Sequence, residues 1–268
     1  MDISRAHQRR DTSGFTLIEL LTVIVVIAIL AALVLPALSQ AKNRVQTMAC
    51  INNLRQLESS CHLYSTDYAD YLPPNNPVKT TVINVNNAQA MVQTITLNSW
   101  CPGLAPVDQT PLYLSEGVIY PYNRSPFIYH CPADQSVVAG TTGTLRTRSY
   151  SMDVSLNSDK SVTTYEKYTD IKQQSTADLF SLIDAHPQDI QDATFDIESM
   201  DSDSSDYWLN LPADRHAKGA NLTFADGHAE YWKWKAPKVY LGDDMPAYST
   251  ADLEDLVRLE AHAKPGVN

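Results

Sequence analysis

The chain has 268 residues, enough for one large or two small domains. It carries 20 Lys and Arg against 31 Asp and Glu, which gives a net charge of −11. An acidic chain without a basic tract is poorly suited to neutralise phosphates, so we predict no nucleic-acid partner. Hydrophobic residues make up 44% of the chain, which supplies enough apolar area to close a core and excludes wholesale disorder.

A long apolar run lies near the N-terminus. From Phe15 to Leu38, Glu19 is the only charged residue. A helix of that length rises about 36 Å, and the hydrocarbon core of a bilayer is about 30 Å thick. The run therefore predicts one membrane-spanning helix, with a cytoplasmic N-terminus and the remainder of the chain exported to the periplasm or cell surface.

Two other interpretations of this run are weaker. A buried core helix would need cover on all sides, which a domain of this size rarely provides. A secretory signal would use Arg5, Arg9 and Arg10 as its basic region and residues 39–41 as its cleavage site. The apolar region of a secretory signal is typically about 7–15 residues long, much shorter than this run.

Glu19 is the anomalous residue of the run, because a charged side chain at the bilayer centre costs about 2.5–3.5 kcal/mol on insertion scales. The surrounding segment, RRDTSGFTLIELLTVIVVIAILAALVLPAL, resembles the start of type IV prepilins and type II secretion pseudopilins. The resemblance implies that a prepilin peptidase removes residues 1–14 by cleaving after Gly14 and methylates the new amino terminus at Phe15. It also implies that Glu19 pairs with the terminal amine of a neighbouring subunit during filament assembly.

Beyond the membrane-spanning half, predicted at 15–40, the apolar positions narrow to one helical stripe. Their successive spacings are 4, 3, 4, 3 and 4 residues, which is the pattern of an amphipathic helix. The stripe consists of Cys50, Leu54, Leu57, Cys61, Tyr64 and Tyr68. We predict that this half of the helix, 41–72, packs on a sheet and is ended by Pro73 and Pro74.

The four cysteines fall into two pairs. Cys50 and Cys61 are three turns apart on the predicted helix, about 16 Å by helix rise, so they cannot bridge each other and are expected to be small buried side chains. Cys101 and Cys131 are each followed by proline in loop-like segments, and we predict a disulfide between them. The chain has no CxxC pair, so the cysteine spacing does not predict a zinc site.

A second distinctive segment is RHAKGANLTFADGHAEYWKW, residues 215–234. In this segment nine residues separate His216 from the dipeptide Asp226-Gly227. This pattern resembles the C-terminal signature of a large bacterial family of prepilin-like proteins with a domain of unknown function. Alternating residues on both sides of the Asp-Gly turn predict a β-hairpin near 220–234, with His216 fixing the segment that enters it. The whole pattern predicts an α+β fold: a long N-terminal helix packed on an antiparallel sheet with long loops, and an exported domain over 73–268.

An alternative interpretation gathers His216, Asp226, His228 and Asp184 into a metal or acid–base site. These residue types can bind a divalent cation, but their spacing imposes no geometry. The chain has no GxSxG elbow, no HExxH motif and no glycine-rich phosphate loop. We therefore predict that the protein is not an enzyme.

The segment 188–206 is rich in aspartate, and the simplest interpretation is a solvated loop. A Ca²⁺ loop is the alternative, since oxygen-rich loops bind Ca²⁺ and major pseudopilins carry such a loop. The first candidate ligands are Asp201, Asp203 and Asp206, although the spacing is not that of an EF-hand. Ca²⁺ is the single candidate cofactor, and none is assigned with certainty.

The sequence thus favours a structural, membrane-anchored subunit that polymerises into a pseudopilus or pilus. Its expected partners are a prepilin peptidase, other copies of itself, other pilin-like subunits, an inner-membrane assembly platform and the bilayer. Two alternatives remain open. One is a membrane-tethered exported ligand-binding protein that does not polymerise, and the other is a metal-dependent enzyme built around His216.

Overall fold

A computed structural model of the chain describes residues 16–76, 78–85, 88–159, 164–172, 174–197, 206–242 and 245–263, with backbone alone over 79–93. The chain divides into two compact units, Met1–Lys42 and Asn43–Asn268. The described residues form four α-helices, and the sheets described below belong to the second unit.

Helix α1 comprises Leu17–Asp67 and has two contrasting halves. The apolar side chains from Leu17 to Leu38 are all exposed. In the second half a stripe from Cys50 to Tyr64 is buried, as its spacing predicted. Tyr68, the last predicted member of that stripe, is 55% exposed because the helix has already ended.

The end of α1 has a different cause from the one predicted. Ala69 and Asp70 both have a positive φ, 53° and 71°, and the Asp70 N–H donates to the carbonyl of Ser65 at 2.9 Å. A left-handed turn with a hydrogen bond spanning five residues is a common way to end a helix. It ends α1 at Asp67, before Pro73 and Pro74 are reached.

The strands are short and their main pairing is antiparallel. They are β1 (Val78–Val85), β2 (Ala88–Ile95), β3 (Tyr150–Asp153), β4 (Phe180–Asp184), β5 (Thr194–Phe195), β6 (Tyr207–Trp208), β7 (Gly219–Phe224), β8 (Ala229–Lys233) and β9 (Met245–Pro246). The main sheet has the order β5-β3-β4-β7-β8, and in it only β3 and β5 are parallel. Strands β1 and β2 form a separate hairpin, and β6 pairs with β9. The predicted α+β class with a long N-terminal helix is confirmed.

Strand β7 shows how the sheet is covered on both faces. Its six residues are all buried. Leu222 and Phe224 belong to a core shared with Leu256 and Leu259 of helix α4 (Thr250–Glu260). Because successive side chains in a strand point to opposite faces, the intervening positions point toward α1. There Thr223 donates to a helix carboxylate at 3.2 Å.

Strands β7 and β8 pair from Gly219 with Lys233 to Thr223 with Ala229. The loop between them has three residues instead of the two expected for Asp-Gly, since the Phe224 N–H bonds to the carbonyl of His228 at 3.0 Å. Gly227 has a φ of +95°, which is the glycine position of a three-residue hairpin loop. Two four-residue helices, α2 (Leu112–Ser115) and α3 (Tyr120–Asn123), precede the main sheet.

Candidate functional site

The N-terminal processing residues, Gly14 and Phe15, lie outside the described residues. Glu19 is described, and it takes part in a reciprocal contact at the start of α1. The N–H and the hydroxyl of Thr16 donate to Glu19 Oε2 at 2.8 and 2.7 Å, while the Glu19 N–H donates to Thr16 Oγ1 at 3.3 Å. This is a capping box, in which a Thr and a Glu three residues later satisfy the free N–H groups of a helix start.

The two parts of the C-terminal signature lie at separate places. Asp226 is in the β7–β8 loop, where it accepts the N–H of His228 at 3.0 Å and contacts the ring of the same residue. His216 lies in the loop that precedes β7 and is 1% exposed. His216 is therefore not held by the Asp-Gly turn.

His216 belongs instead to a buried group that we call the thiol cluster: Cys50, Cys131, Asp184 and His216. One side-chain donor atom from each of these residues lies within 4.8 Å of the other three. The four residues come from α1, from the loop after the 3-10 helix Pro126–Tyr129, from the end of β4 and from the loop before β7. All are at most 1% exposed, so the cluster is closed to solvent.

The His216 ring is held from both of its nitrogens. Its Nε2 lies 3.2 Å from Cys131 Sγ and 3.3 Å from Asp184 Oδ2. Its Nδ1 lies 3.2 Å from Thr47 Oγ1, and the Thr47 hydroxyl donates to the carbonyl of Asn43 at 2.9 Å. The ring orientation is thus fixed with Nε2 toward the thiol and carboxylate of the cluster.

A cation and a tyrosine flank the thiol cluster. Arg215 Nη1 lies 3.0 Å from both Asp134 Oδ2 and Asp184 Oδ1. On the opposite side the Tyr150 hydroxyl donates to Cys50 Sγ at 3.2 Å. One guanidinium therefore contacts two buried aspartates.

The electrostatics of the thiol cluster favour a charged pair. Burial opposes ionisation of the Cys131 thiol, but hydrogen bonds from Cys50 and His216 and the charge of Arg215 outweigh it and lower its pKa. Burial also opposes the charged form of His216, yet its contacts with Asp184 and Cys131 raise its pKa. Both shifts act in the direction of a Cys131 thiolate beside a protonated His216. The pKa of Cys50 is raised well above its usual value, chiefly by burial, so Cys50 stays a thiol.

A second buried polar group, which we call the glutamate cluster, consists of Glu58, Tyr168, Ser181 and Thr223. Glu58 is 1% exposed and accepts hydrogen bonds from all three hydroxyls. Burial outweighs these bonds and raises the pKa of Glu58 to about 7. Sequence reasoning missed this glutamate, although a carboxylate next to the apolar stripe of an amphipathic helix is a usable signal.

The predicted disulfide between Cys101 and Cys131 is not formed, because all four cysteines are free. Cys101 Sγ faces the guanidinium of Arg148 at 3.5 Å, whereas Cys131 Sγ faces His216. Of the residues grouped in the metal or acid–base alternative, His216 and Asp184 meet, while Asp226 and His228 are elsewhere. The thiol cluster takes its two cysteines from distant parts of the chain, so a search for CxxC pairs does not detect it.

Residues 198–205 of the acidic segment lie outside the described residues. Asp201 and Asp203 fall there. Asp206 is exposed, and its carbonyl accepts the N–H of Ala247 at 2.7 Å beside the β6–β9 pair. The Ca²⁺ loop stays a prediction.

Comparison with known proteins yields matches at the N-terminus. A family model described as the prokaryotic N-terminal methylation motif matches residues 9–35. The type II secretion system core protein G of Aeromonas hydrophila is 38% identical over 64 residues, which is 24% of this chain and 45% of that protein. The protein of the same name from Klebsiella michiganensis is 36% identical over 64 residues, again 24% and 45%. That from Escherichia coli is 33% identical over 69 residues, 26% and 48%.

The chain thus spans less than half the length of these curated relatives. No solved structure matches it. Among the described residues one helix, α1, is long and apolar enough to cross a membrane. With the methylation motif and the pseudopilin similarity, the N-terminal quarter of the chain is type IV prepilin-like.

Proposed function

We propose that the protein is a structural pilin-like subunit of a type II secretion pseudopilus or a related filament. Prepilin peptidase cleaves the leader 1–14 after Gly14 and methylates Phe15. The mature chain is then anchored in the inner membrane with its N-terminus on the cytoplasmic side and the domain 73–268 exported. An inner-membrane platform assembles it with copies of itself and with other pilin-like subunits. This proposal assigns no enzymatic activity.

Three observations support this proposal. The methylation-motif match includes Gly14 and Phe15, where we propose cleavage, and most of the apolar run. The relatives of the N-terminal quarter are named type II secretion system core protein G. The first half of α1 is apolar and exposed on all sides, which suits a segment surrounded by lipid or by other helices.

The observation that carries most weight is the single carboxylate in that surface. Glu19 is the only charged residue from Phe15 to Leu38. An anion in an apolar environment gains most from a fixed cation, and cleavage after Gly14 would create an amine four residues away. Pairing that amine with Glu19 of a neighbour would compensate both charges, and removing one partner of a buried pair costs about 3–5 kcal/mol.

Mass spectrometry of the mature chain tests the processing step. We expect a protein that begins with N-methylated Phe15, and we expect Gly14→Val to keep its leader, because the bulkier residue blocks cleavage. Ser13→Ala is the matched control and should be processed normally. A mature chain that starts at any other residue would contradict the proposal.

Glu19→Gln tests assembly separately from processing. Glutamine keeps the size and polarity of the side chain but cannot pair as an anion, so the variant should be processed yet recovered as membrane-bound monomer instead of in sheared filaments. Thr22→Val, one turn along the same helix, is the control and should assemble. If Glu19→Gln assembles like the unchanged chain, the proposed pairing of Glu19 is wrong; if neither protein is found in filaments, the membrane-tethered ligand-binding alternative is favoured.

A further inference from the structure

We propose that the thiol cluster is a structural Zn²⁺ site, with Cys50, Cys131, Asp184 and His216 as the four ligands. The site lies wholly within the unit Asn43–Asn268 and does not depend on whether the subunit polymerises. It would fasten helix α1 to the sheet and to the loop of the C-terminal signature.

The donor set selects the metal. Two sulfurs, one imidazole nitrogen and one carboxylate oxygen suit the tetrahedral coordination of Zn²⁺, whereas Ca²⁺ and Mg²⁺ prefer oxygen ligands alone. With Zn–S near 2.3 Å and Zn–N near 2.0 Å, ligand atoms in a tetrahedral site are about 3.3–3.8 Å apart. The His216 Nε2 contacts at 3.2 and 3.3 Å are close to that range, and no pair of the donor atoms exceeds 4.8 Å.

The orientation of His216 matches that of a metal ligand. Because the Thr47 hydroxyl donates to the carbonyl of Asn43, its oxygen is left to accept a hydrogen bond from Nδ1–H of His216. In the neutral ring, a proton on Nδ1 leaves the lone pair of Nε2 directed at Cys131 and Asp184. Metal-binding histidines typically donate their second ring N–H to such an outer partner, which fixes both the tautomer and the ring.

Asp184 gives an independent indication of a missing partner. Its carboxylate is fully buried and lies 3.0 Å from Arg215 and 3.3 Å from His216. Neither of its oxygens receives a hydrogen bond of normal geometry from the described residues. A buried carboxylate is costly unless it is paired and hydrogen-bonded or coordinates a metal, and a bound Zn²⁺ would supply the missing interaction.

Binding of the ion would release protons. Zn²⁺ coordinates thiolates and an unprotonated imidazole nitrogen, so any protons on Cys50 Sγ, Cys131 Sγ and Nε2 of His216 would pass to solvent when it binds. Arg215 would remain in contact with both Asp184 and Asp134. Because all four ligands are buried, no open position is left for a catalytic water, as expected of a structural site.

Metal analysis of the full chain, purified in detergent without chelator, tests the site. We expect about one zinc per chain, and less than about a tenth of that in Cys131→Ser. Cys101→Ser is the matched control, because Cys101 is equally buried but lies outside the cluster. If Cys131→Ser fails to fold by circular dichroism, Asp184→Asn is a nearly isosteric second test and should also lose the metal.

Two further measurements decide what occupies the cluster. Replacing zinc by Co²⁺ should give thiolate-to-cobalt absorption that Cys131→Ser lacks. Chelation should lower the unfolding midpoint by about 10 °C, and added ZnCl₂ should restore it. The assignment is overturned if the chain binds no zinc even after reconstitution, if iron or copper is bound in its place, or if mass spectrometry shows a Cys50–Cys131 disulfide in the exported protein.

Discussion

The thiol cluster and the glutamate cluster lie on the same face of α1, eight residues and about 12 Å apart by helix rise, but they treat buried charge in opposite ways. In the thiol cluster the carboxylate of Asp184 lies 3.0 Å from the guanidinium of Arg215, which also contacts Asp134. Around Glu58 it places hydroxyls, and the pKa of the carboxyl rises to about 7. The first environment suits exchange of protons for a metal ion, and the second favours a neutral acid that keeps its proton.

The largest expected effect comes from removing the cation of the thiol cluster. Arg215→Met keeps much of the side-chain volume but leaves Asp134 and Asp184 buried without their partner, which should lower the free energy of unfolding by about 3–5 kcal/mol. Urea denaturation of the full chain in detergent measures this loss. Arg55→Met, at an exposed position of α1, is the control, and an equal loss in both variants would contradict the assigned role of Arg215.

The glutamate cluster predicts a pH dependence. The pKa of Glu58 is raised from 4.5 to about 7 in the folded chain, so folding takes up a proton between these values. Its contribution to stability is complete below pH 4.5 and is lost as the pH rises through about 7. The free energy of unfolding should therefore fall by up to about 3 kcal/mol across that range.

Glu58→Gln should reduce that slope, because glutamine does not titrate. Part of the slope should remain, since burial also raises the pKa of Asp184 to about 7 in the metal-free chain. Unfolding free energies measured at half-unit steps from pH 4.5 to 7.5 give the comparison. The exposed Glu116→Gln serves as the control and should retain the slope. Parallel curves for the unchanged chain and Glu58→Gln would show that Glu58 does not titrate in this range.

A smaller effect is expected from the outer partner of His216. Thr47→Val removes the acceptor of the ring Nδ1–H, and we expect about a tenfold weaker zinc affinity in a competition titration with a chromophoric chelator. Thr66→Val is closely matched, since both threonines donate to the carbonyl four residues earlier at 2.9 Å on the same helix. Equal zinc affinities for the two variants would remove Thr47 from the site.

The smallest effect separates the two halves of the C-terminal signature. Asp226→Asn can still accept the N–H of His228 in the hairpin loop, because asparagine makes the same turn contact as aspartate. We expect a change of less than about 1 kcal/mol in stability and an unchanged zinc content, in contrast to Asp184→Asn. Loss of zinc in Asp226→Asn would mean that the turn and the thiol cluster act as one site.

The sequence predicted those elements that depend on residues close together in the chain. The 3–4 spacing of the apolar positions predicted the buried face from Cys50 to Tyr64, because a helix repeats every 3.6 residues. It did not predict the end of α1, since Ala69 has no intrinsic preference for a positive φ. The separation of His216 from Asp226 follows from β7, whose six residues span about 20 Å at 3.3 Å each.

The thiol cluster could not be predicted from the sequence for a similar reason. Its residues are separated by 81, 53 and 32 positions, and no spacing rule links them. Their convergence depends on how α1 lies on the sheet and on the order β3-β4-β7, which places the end of β4 beside the start of β7. The metal alternative did group His216 with Asp184, but it had no reason to add the two cysteines. A cysteine on the buried face of a helix equally describes an ordinary apolar position.

The capping box at Thr16 and Glu19 has a consequence for assembly under the proposed function. A subunit waiting in the membrane would already hold its carboxylate in two hydrogen bonds from its own Thr16. Joining a neighbour is then an exchange of partners, and its driving force is the difference between an internal contact and an intermolecular ion pair. A partner that cannot form an ion pair with Glu19 would gain little by replacing these two hydrogen bonds. The capping box would therefore favour entry into the filament of subunits that present a correctly placed amine.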